Sequence, residues 1–311
     1  MVKFRVNRDW AAASPYERFF DFIAPQADRY NILLDHIQKL DLNSVVLSIE
    51  KNRHFFIFPK NIKLELSAGS AFPYSGESPV VLTAHYDRAA GSSGANDNSV
   101  SVFLLLNAAL KLVKQGLENW LIIFTDKEEL EKGEGIQKQG AYSLAKKLKN
   151  LGLGNSRIFN FDTCGTGDTF ILSSTADYLI QKKQKPGLFR AAHVINYLRD
   201  RAYTAARNRH LSNVMTFPTP FSDDAGFLGG GIPVQTITIL PAAEAGHLAA
   251  LLRTNPSFAD VIISGPAKGA AERHHIPETW RCLNSPSDSY LRLTPDYYEK
   301  IVLFMTELVK I

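Results

Sequence analysis

Two continuous apolar runs constrain the fold of this chain more than any other feature of its sequence. Residues 80–84 and 120–125 lack the alternation of polar and apolar side chains that a half-exposed strand shows. Such runs are typical of strands buried on both faces of a sheet. A helical pattern follows each of them, at residues 100–113 and 140–151. The sequence therefore predicts an α/β fold with a mixed, mostly parallel central sheet flanked by helices.

The rest of the chain continues this alternation of strands and helices. Further strands are predicted at residues 157–161, 169–172 and 234–239, and further helices at residues 187–207 and 295–309. The sequence contains no internal repeat and no linker that clearly separates domains. We therefore expect a single domain over residues 1–311, with its core at residues 78–311.

The first 75 residues show a different pattern. Apolar residues interrupted near Pro25 predict helices between residues 14 and 40. Three short β-type runs follow, separated by turn residues, at residues 45–49, 54–58 and 62–66. We expect residues 1–75 to form a peripheral layer of helices and a small meander against the core.

Composition and charge limit the possible partners. The chain has 35 basic and 31 acidic residues, and its net charge of +4 is too small to indicate nucleic-acid or membrane binding. No apolar run reaches the ~18 residues of a membrane span, and no signal-peptide core follows the charged N-terminus. Two cysteines are too few for a disulfide-stapled scaffold. We expect a cytoplasmic protein, and the sequence leaves its oligomeric state open.

Acidic residues and one histidine follow the predicted strands at their carboxyl ends. His85 follows the first buried strand directly, Asp162 follows the strand at residues 157–161, and Glu128 and Glu129 come shortly after residues 120–125. Asp97 opens the helix after the first loop. Open α/β sheets place their sites just beyond the carboxyl ends of the strands. These side chains are therefore expected to converge, and one imidazole with carboxylates suits zinc or a similar divalent ion.

Each of these residues alone has a simpler interpretation. A lone histidine after a strand is more often a hydrogen-bonded structural residue, Asp97 alone is equally well a helix cap, and paired glutamates normally lie on a solvated loop. Their order along the chain favours a common site. The loops that follow Ala84, Thr125, Phe161 and Ile239 should then line one cleft.

Several short motifs in this order closely resemble the M28 metallopeptidase family, which contains aminopeptidases and the related animal glutaminyl cyclases. The resemblance extends over residues 78–311. It is carried by Ala84-His85-Tyr86-Asp87, Gly94-Ala95-Asn96-Asp97-Asn98, Phe124-Thr125-Asp126-Lys127-Glu128-Glu129, Gly140-Ala141, Asn160-Phe161-Asp162, Ser222-Asp223-Asp224-Ala225-Gly226-Phe227, Gly231-Ile232-Pro233 and Asn284-Ser285-Pro286-Ser287-Asp288. It implies a zinc-exopeptidase (phosphorylase/hydrolase-like) architecture.

The resemblance also implies two adjacent metal positions. Asp97 would bridge them, His85 and Asp162 would complete one, and Glu129 with the residue at position 284 would complete the other. The activity implied is that of a zinc-dependent aminopeptidase, whose substrate is a peptide with a free N-terminus.

The same resemblance implies that Glu128 is the general base, which takes a proton from the attacking water and returns it to the leaving amine. A further role follows from the residues themselves: Asp87 lies two positions after His85, and its carboxylate could accept the second N–H of the imidazole and fix its tautomer.

Two positions depart from the family pattern. Asn284 stands where the family has its last histidine ligand, and Asp224 stands where a histidine usually follows Ser222-Asp223. A carboxamide oxygen is a poorer zinc ligand than imidazole. We therefore expect one firmly bound zinc ion, held by His85, Asp97 and Asp162, and a second position that is weak or empty.

Other side chains are candidates for a replacement ligand. Cys282 lies two residues before Asn284, so on an extended segment both would point the same way, and Cys164 lies two residues after Asp162. The remaining candidates are Asp224, His247, His274 and His275.

Two alternatives to an active peptidase remain open. A catalytically impaired protein would keep the fold and a metal as a binding or structural element, which Asn284 and Asp224 favour and the Glu128-Glu129 pair disfavours. A glutaminyl-cyclase-like acyltransferase would work with one metal, but in that branch the retained position uses the histidine that is missing here.

Overall fold

A computed structural model of the chain describes residues 16–60, 78–183, 186–264 and 272–311. Eight strands in these ranges form one sheet. They are β1 Ser44–Ile49, β2 Asn52–Ile57, β3 Val80–His85, β4 Trp120–Thr125, β5 Arg157–Phe161, β6 Thr169–Ser173, β7 Val214–Phe217 and β8 Gln235–Leu240. The predicted strand at residues 62–66 lies outside the described residues.

The strand order is β1-β2-β4-β3-β5-β8-β6-β7. Strands β4, β3, β5 and β8 run parallel to one another, and β6 and β7 also form a parallel pair. The pairings β1–β2, β2–β4 and β6–β8 are antiparallel. The predicted mixed, mostly parallel sheet is confirmed, and β1 and β2 extend one of its edges.

Helices cover both faces of the sheet. They are α1 Phe19–Ile23, α2 Arg29–Lys39, α3 Val100–Lys114, α4 Gly140–Asn150, α5 Thr175–Lys183, α6 Pro186–Asn208, α7 Asp223–Gly229, α8 Ala242–Thr254, α9 Phe258–Ser264, α10 Glu278–Arg281 and α11 Tyr298–Lys310. Helices α1, α2, α3, α6 and α11 share one hydrophobic core with the sheet, and α4 and α7 close a second core on the opposite face. None of the described helices has the length and apolar character of a membrane span.

The long predicted elements agree with the structure, whereas short ones were missed. The break near Pro25 separates α1 from α2, and each predicted core helix matches an observed one within three residues at its ends. Strand β7 and helices α5, α7, α8, α9 and α10 were not predicted. Most of these are too short to show a full hydrophobic period, and several of them contribute apolar residues to a third cluster beside β6 and β8.

One face of the sheet changes from apolar to polar towards the carboxyl ends of the strands, and the candidate site lies at this polar edge. Along β3, Val81, Thr83 and His85 point to the same face, because side chains alternate along a strand. Val81 belongs to the apolar core beneath α4 and α7, whereas His85 lies at the strand end. Thr125, opposite His85 on β4, is also polar and fully buried. Buried polar side chains therefore lie at the strand ends, next to the loops that carry the predicted site residues.

Candidate metal centre

His85 is the centre of the predicted cluster. Its side chain is fully buried at the end of β3. Its Nε2 lies 3.1 Å from Oδ1 of Asp97 and 3.5 Å from Oδ1 of Asp162. Each of the three residues offers a ligand atom, and these atoms lie within 4.8 Å of one another. The structure therefore brings together residues from three separate segments, as expected from the sequence.

A second group of three combines His85 with Glu128 and Glu129, again with ligand atoms within 4.8 Å of one another. His85 is thus common to both groups, although the family resemblance implies Asp97 as the shared residue. The described part of the chain contains no other group of histidine, cysteine and acidic side chains with this spacing.

The turn at Ala95–Ser99 carries Asp97 and is held at several points. Asp288 accepts hydrogen bonds from the backbone N–H of Asn96 at 2.8 Å and of Asp97 at 3.1 Å. The Asn98 side chain donates to the carbonyl of Phe161 at 2.8 Å. The peptide bond between Asp97 and Asn98 is cis. These contacts fix Asp97 next to the end of β5, where Asp162 follows.

Asp87 connects the loops that follow β3 and β4. Its two carboxylate oxygens accept the backbone N–H groups of Glu128 and Glu129, at 3.1 and 3.0 Å. Its Oδ1 lies 3.4 Å from Nδ1 of His85, which is an ion-pair distance and longer than a good hydrogen bond. Asp87 therefore orders the segment that presents both glutamates, a role that the sequence did not reveal.

Gln139 is a second residue that sequence reasoning missed. Its side-chain amide donates to Oε1 of Glu128 at 3.0 Å and to the carbonyl of Ser222 at 3.3 Å. It immediately precedes α4 and is almost fully buried. An isolated glutamine before a helix gives no sequence signal, because its partners lie 11 and 83 residues away.

The electrostatics of the site fit a bound cation. Burial raises the pKa of Glu128 well above its usual range, and the neighbouring Glu129, Asp162 and Asp223 raise it further against the opposing effect of His85. Burial and the nearby Asp97 raise the pKa of Glu129 to about 9. Such shifts mean that several negative charges share one largely buried site. A divalent ion would relieve this repulsion.

The donor atoms also fit a metal. Oε1 of Glu129 is buried and accepts no hydrogen bond from the described residues, which is costly for a carboxylate unless a cation binds it. Burial alone would lower the pKa of His85, but Asp162, Asp87 and Asp97 outweigh this effect and raise it well above its usual value. An imidazole surrounded by carboxylate oxygens is a donor set that zinc accepts.

The carboxylates of the cluster line a cleft of about 490 Å³; they are Asp97, Glu128, Glu129 and Asp162. Apolar side chains line the same cleft, mainly those of Phe221, Ile262, Ile263, Ile276 and Trp280. Phe221 is 45% exposed, which is unusual for a phenylalanine and leaves its ring available to a ligand.

Three of the four loops predicted to line the cleft contribute to it, but the loop after Ile239 does not. That loop leads directly into α8, whose first N–H bonds to Asp168 at 3.0 Å. Strand β8 contributes Thr236 and Thr238 from within the strand, and residues 219–222 also line the cleft.

Asn284 lines the cleft, as expected, but Cys282 does not share its orientation. The expected extended segment is wrong, because Cys282 ends α10 in a helical conformation and Asn284 has a left-handed φ of 56°. Burial raises the pKa of the Cys282 thiol. Cys282 is not among the described residues that line the cleft, so it does not lie beside Asn284 as a replacement ligand.

The other candidate replacement ligands also lie elsewhere. Cys164 is fully buried and donates to the carbonyls of Asp162 and Ile237. Asp224 accepts the backbone N–H of Ser222 at 3.1 Å and lines a different, small cavity. Three histidines pack on one another, and none of them is among the described residues that line the cleft; they are His247, His274 and His275.

Comparison with known proteins decides the family. The model of Peptidase family M28 matches residues 61–286, which is well over half of the chain. The chain belongs to this family. The resemblance seen in the M28 motifs is thus confirmed, and the cluster around His85 lies within the matched region. No curated protein sequence matches the chain.

Solved structures of a glutaminyl cyclase, an aminopeptidase precursor and an exopeptidase share the fold at low sequence identity. A glutaminyl cyclase from Bacteroides thetaiotaomicron and a leucine aminopeptidase precursor from B. thetaiotaomicron VPI-5482 each align with a TM-score of 0.60 and 15% identity, covering 96% of this chain and 97% of theirs. A Zn-dependent exopeptidase from Parabacteroides distasonis ATCC 8503 aligns with a TM-score of 0.58 and 14% identity, covering 96% and 98%. Identities this low show a common fold and leave the reaction open.

Proposed function

We propose that this M28 protein is a zinc-dependent aminopeptidase that removes N-terminal residues from peptides. One observation carries the proposal: Asp97, Asp162, Glu128 and Glu129 come from three separate segments, cluster around the buried His85 and line a single cleft. A purely structural ion pair would not need an unpaired carboxylate beside an open cleft.

His85, Asp97 and Asp162 would hold the zinc ion. When bound, zinc would lower the pKa of a water molecule towards 7 and polarise the peptide carbonyl. Asp87, through its contacts with the backbone of Glu128 and Glu129, keeps both glutamates beside this group. The acidic end of the cleft also favours the positively charged amino terminus of a peptide.

Glu128 is the proposed general base. Its carboxylate lines the cleft, and the bond from Gln139 restrains it without occupying both oxygens. It would accept a proton from water and later deliver that proton to the leaving amine. The apolar lining of the same cleft, which includes Phe221 and Trp280, could receive an apolar side chain of the residue that is removed.

We further propose that the chain holds one zinc ion firmly and a second ion weakly or not at all. The position beside Glu129 has Asn284 in the same cleft where the family supplies an imidazole. None of Cys282, Cys164 and Asp224 is placed to act as a replacement ligand. Loss of a nitrogen donor favours the group that contains His85, Asp97 and Asp162.

A cyclase reaction is the second candidate, because a solved glutaminyl cyclase superposes on this chain as well as an aminopeptidase does. Both reactions need a free N-terminal amine, but only cyclisation requires an N-terminal glutamine and releases ammonia without shortening the peptide.

The test uses zinc-loaded protein and three peptides of otherwise identical sequence. The first begins with leucine, the second with the same leucine acetylated, and the third with glutamine. An aminopeptidase shortens the first by one residue and leaves the acetylated peptide intact. Loss of ammonia from the third peptide alone would support the cyclase instead. No change in any peptide would contradict both and favour a catalytically impaired metal-binding protein.

A further inference from the structure

Arg29 is a buried cation outside the proposed metal centre, and the proposed mechanism does not use it. It is the first residue of α2 and only 6% exposed. Its guanidinium group lies 4.6 Å from the centre of the Phe22 ring, at the end of α1. Burying an arginine this deeply is costly unless its N–H groups find acceptors.

Arg29 donates to five backbone carbonyls and one hydroxyl. Four of the carbonyls lie in the loop that joins β3 to the turn at Ala95–Ser99, and the fifth is that of Phe22, which accepts from Nε at 3.3 Å. Nη1 donates to the carbonyls of Tyr86 at 3.0 Å and Asp87 at 2.9 Å. Nη2 donates to the carbonyl of Ser93 at 2.8 Å and to the hydroxyl of Ser99 at 2.7 Å. Tyr86 and Asp87 follow His85 at the start of this loop, and Ser93 lies at its end, just before the turn that carries Asp97. A single guanidinium therefore ties together the two ends of the loop between His85 and Asp97.

Gly94 supports this interpretation independently. Its carbonyl accepts from Nη2 of Arg29 at 3.3 Å, and its φ of 59° lies in the left-handed region. A Cβ atom at this position would lie 2.7 Å from Nη2 of Arg29 and 2.7 Å from the carbonyl oxygen of Asp97. The loop thus approaches the guanidinium so closely that only glycine fits without displacement.

Arg88 connects the N-terminal helices to the same loop, but here the arginine belongs to the loop and its acceptors lie beside the helices. It lies in the loop after β3 and donates to the carbonyls of Ala24 at 3.0 Å and Pro25 at 2.7 Å, just after α1. The N-terminal helices and the metal-site loops are therefore connected by two arginines, one from each side.

We infer that Arg29 is a positioning residue for the proposed metal centre. By donating to the carbonyls of residues 86, 87, 93 and 94, it fixes both ends of the loop that carries Asp87 and leads into the turn with Asp97, so that Asp97 approaches His85. The inference rests on the proposed zinc site. It assigns part of the metal geometry to the N-terminal helices, which contribute no ligand to the proposed centre.

The test measures the zinc affinity of the full chain by competition with a chelator, and the visible spectrum of the cobalt(II)-loaded protein. Arg29→Met removes all the N–H donors of the side chain. Arg29→Lys keeps the positive charge but loses the planar guanidinium group. Gly94→Ala places a Cβ atom against Arg29 and so displaces the loop. All three should weaken zinc binding by roughly tenfold or more and alter the cobalt spectrum, because support outside the ligand shell typically contributes about 10–100-fold.

Arg18→Met is the matched control. Arg18 lies just before α1 and pairs with Asp21 at 2.6 Å and Asp35 at 2.5 Å, so these ion pairs join only α1 and α2. Its loss should lower stability without changing metal affinity or the cobalt spectrum.

Two results would overturn the inference about Arg29, and a third would refute the metal centre on which it rests. Folded Arg29→Lys protein with wild-type zinc affinity and spectrum would overturn the inference. So would failure of both arginine variants to fold while Arg18→Met folds, since Arg29 would then be a determinant of folding. A wild-type chain that binds no zinc would refute the metal centre itself.

Discussion

Nε2 of His85 lies 3.1 Å from Oδ1 of Asp97, although twelve positions separate the two residues along the chain. The strand fixes the histidine, whereas Asp97 is fixed by contacts from distant segments, including Asp288 and Arg29. The proposed metal centre is therefore assembled by loop contacts as much as by the sheet. The proposed base Glu128, the supporting carboxylate of Asp87 and the metal position beside Asn284 can each be tested separately.

Glu128→Gln should abolish peptide hydrolysis while leaving the zinc content nearly unchanged. The amide cannot take up a proton, and loss of a general base typically lowers the rate by about 10²–10⁴-fold. Gln139 can still donate to the side chain, so the loop should keep its shape. The matched control is Glu131→Gln, an exposed glutamate in the same loop. Near wild-type turnover by Glu128→Gln would remove this residue from the mechanism.

Asp87→Asn should weaken zinc binding by roughly 10–100-fold without removing any proposed ligand. One of its two oxygens becomes an NH₂ group, which cannot accept the backbone N–H of Glu128 or Glu129. Asp126→Asn is a suitable control, because that carboxylate accepts the backbone N–H of Arg53 instead. Equal zinc affinities for the two variants would show that Asp87 does not organise the site.

Asn284→His should raise the zinc content from nearer one to nearer two ions per chain. Histidine restores the nitrogen donor, and the left-handed φ of 56° at this position is tolerated by histidine better than by most residues. Asn284→Ala, which adds no donor, should stay near one ion. Two full equivalents in the unmodified protein would contradict the proposed asymmetry of the two positions.

The buried imidazole of His54 should make the protein less stable in mild acid, independently of metal binding. Burial lowers its pKa from 6.5 to about 4, and Nδ1 accepts the backbone N–H of Asp126 at 3.3 Å. The unfolded chain therefore binds this proton first as the pH falls. The contribution to stability is fully present above pH 6.5 and is lost between pH 6.5 and about 4, up to roughly 3 kcal/mol.

His54→Asn isolates this effect, since Oδ1 of asparagine can replace Nδ1 as the acceptor. The variant should be less stable at neutral pH, because the smaller side chain leaves a void, but its free energy of unfolding should fall less steeply between pH 6.5 and about 4. Chemical denaturation of zinc-free protein across this range provides the measurement. Parallel pH profiles for the two proteins would rule out His54 as the source.

The central strands could be predicted because a short, continuous apolar run between turn residues is typical of a strand buried on both faces. The convergence of His85, Asp97 and Asp162 was also predictable, since parallel strands end at one edge of the sheet. Gln139 and Arg29 could not be predicted, because their partners lie up to 83 and 70 residues away and leave no local pattern. The expected alignment of Cys282 with Asn284 failed because it assumed an extended backbone where α10 ends.

Zinc dependence of hydrolysis is the most direct test of the central claim. Purified protein should retain close to one zinc ion per chain after dialysis, lose N-terminal hydrolysis when a chelator removes that ion, and regain it when zinc is returned. His85→Ala should neither retain the ion nor recover activity. Undiminished hydrolysis by metal-free protein, or full zinc binding by His85→Ala, would contradict the account.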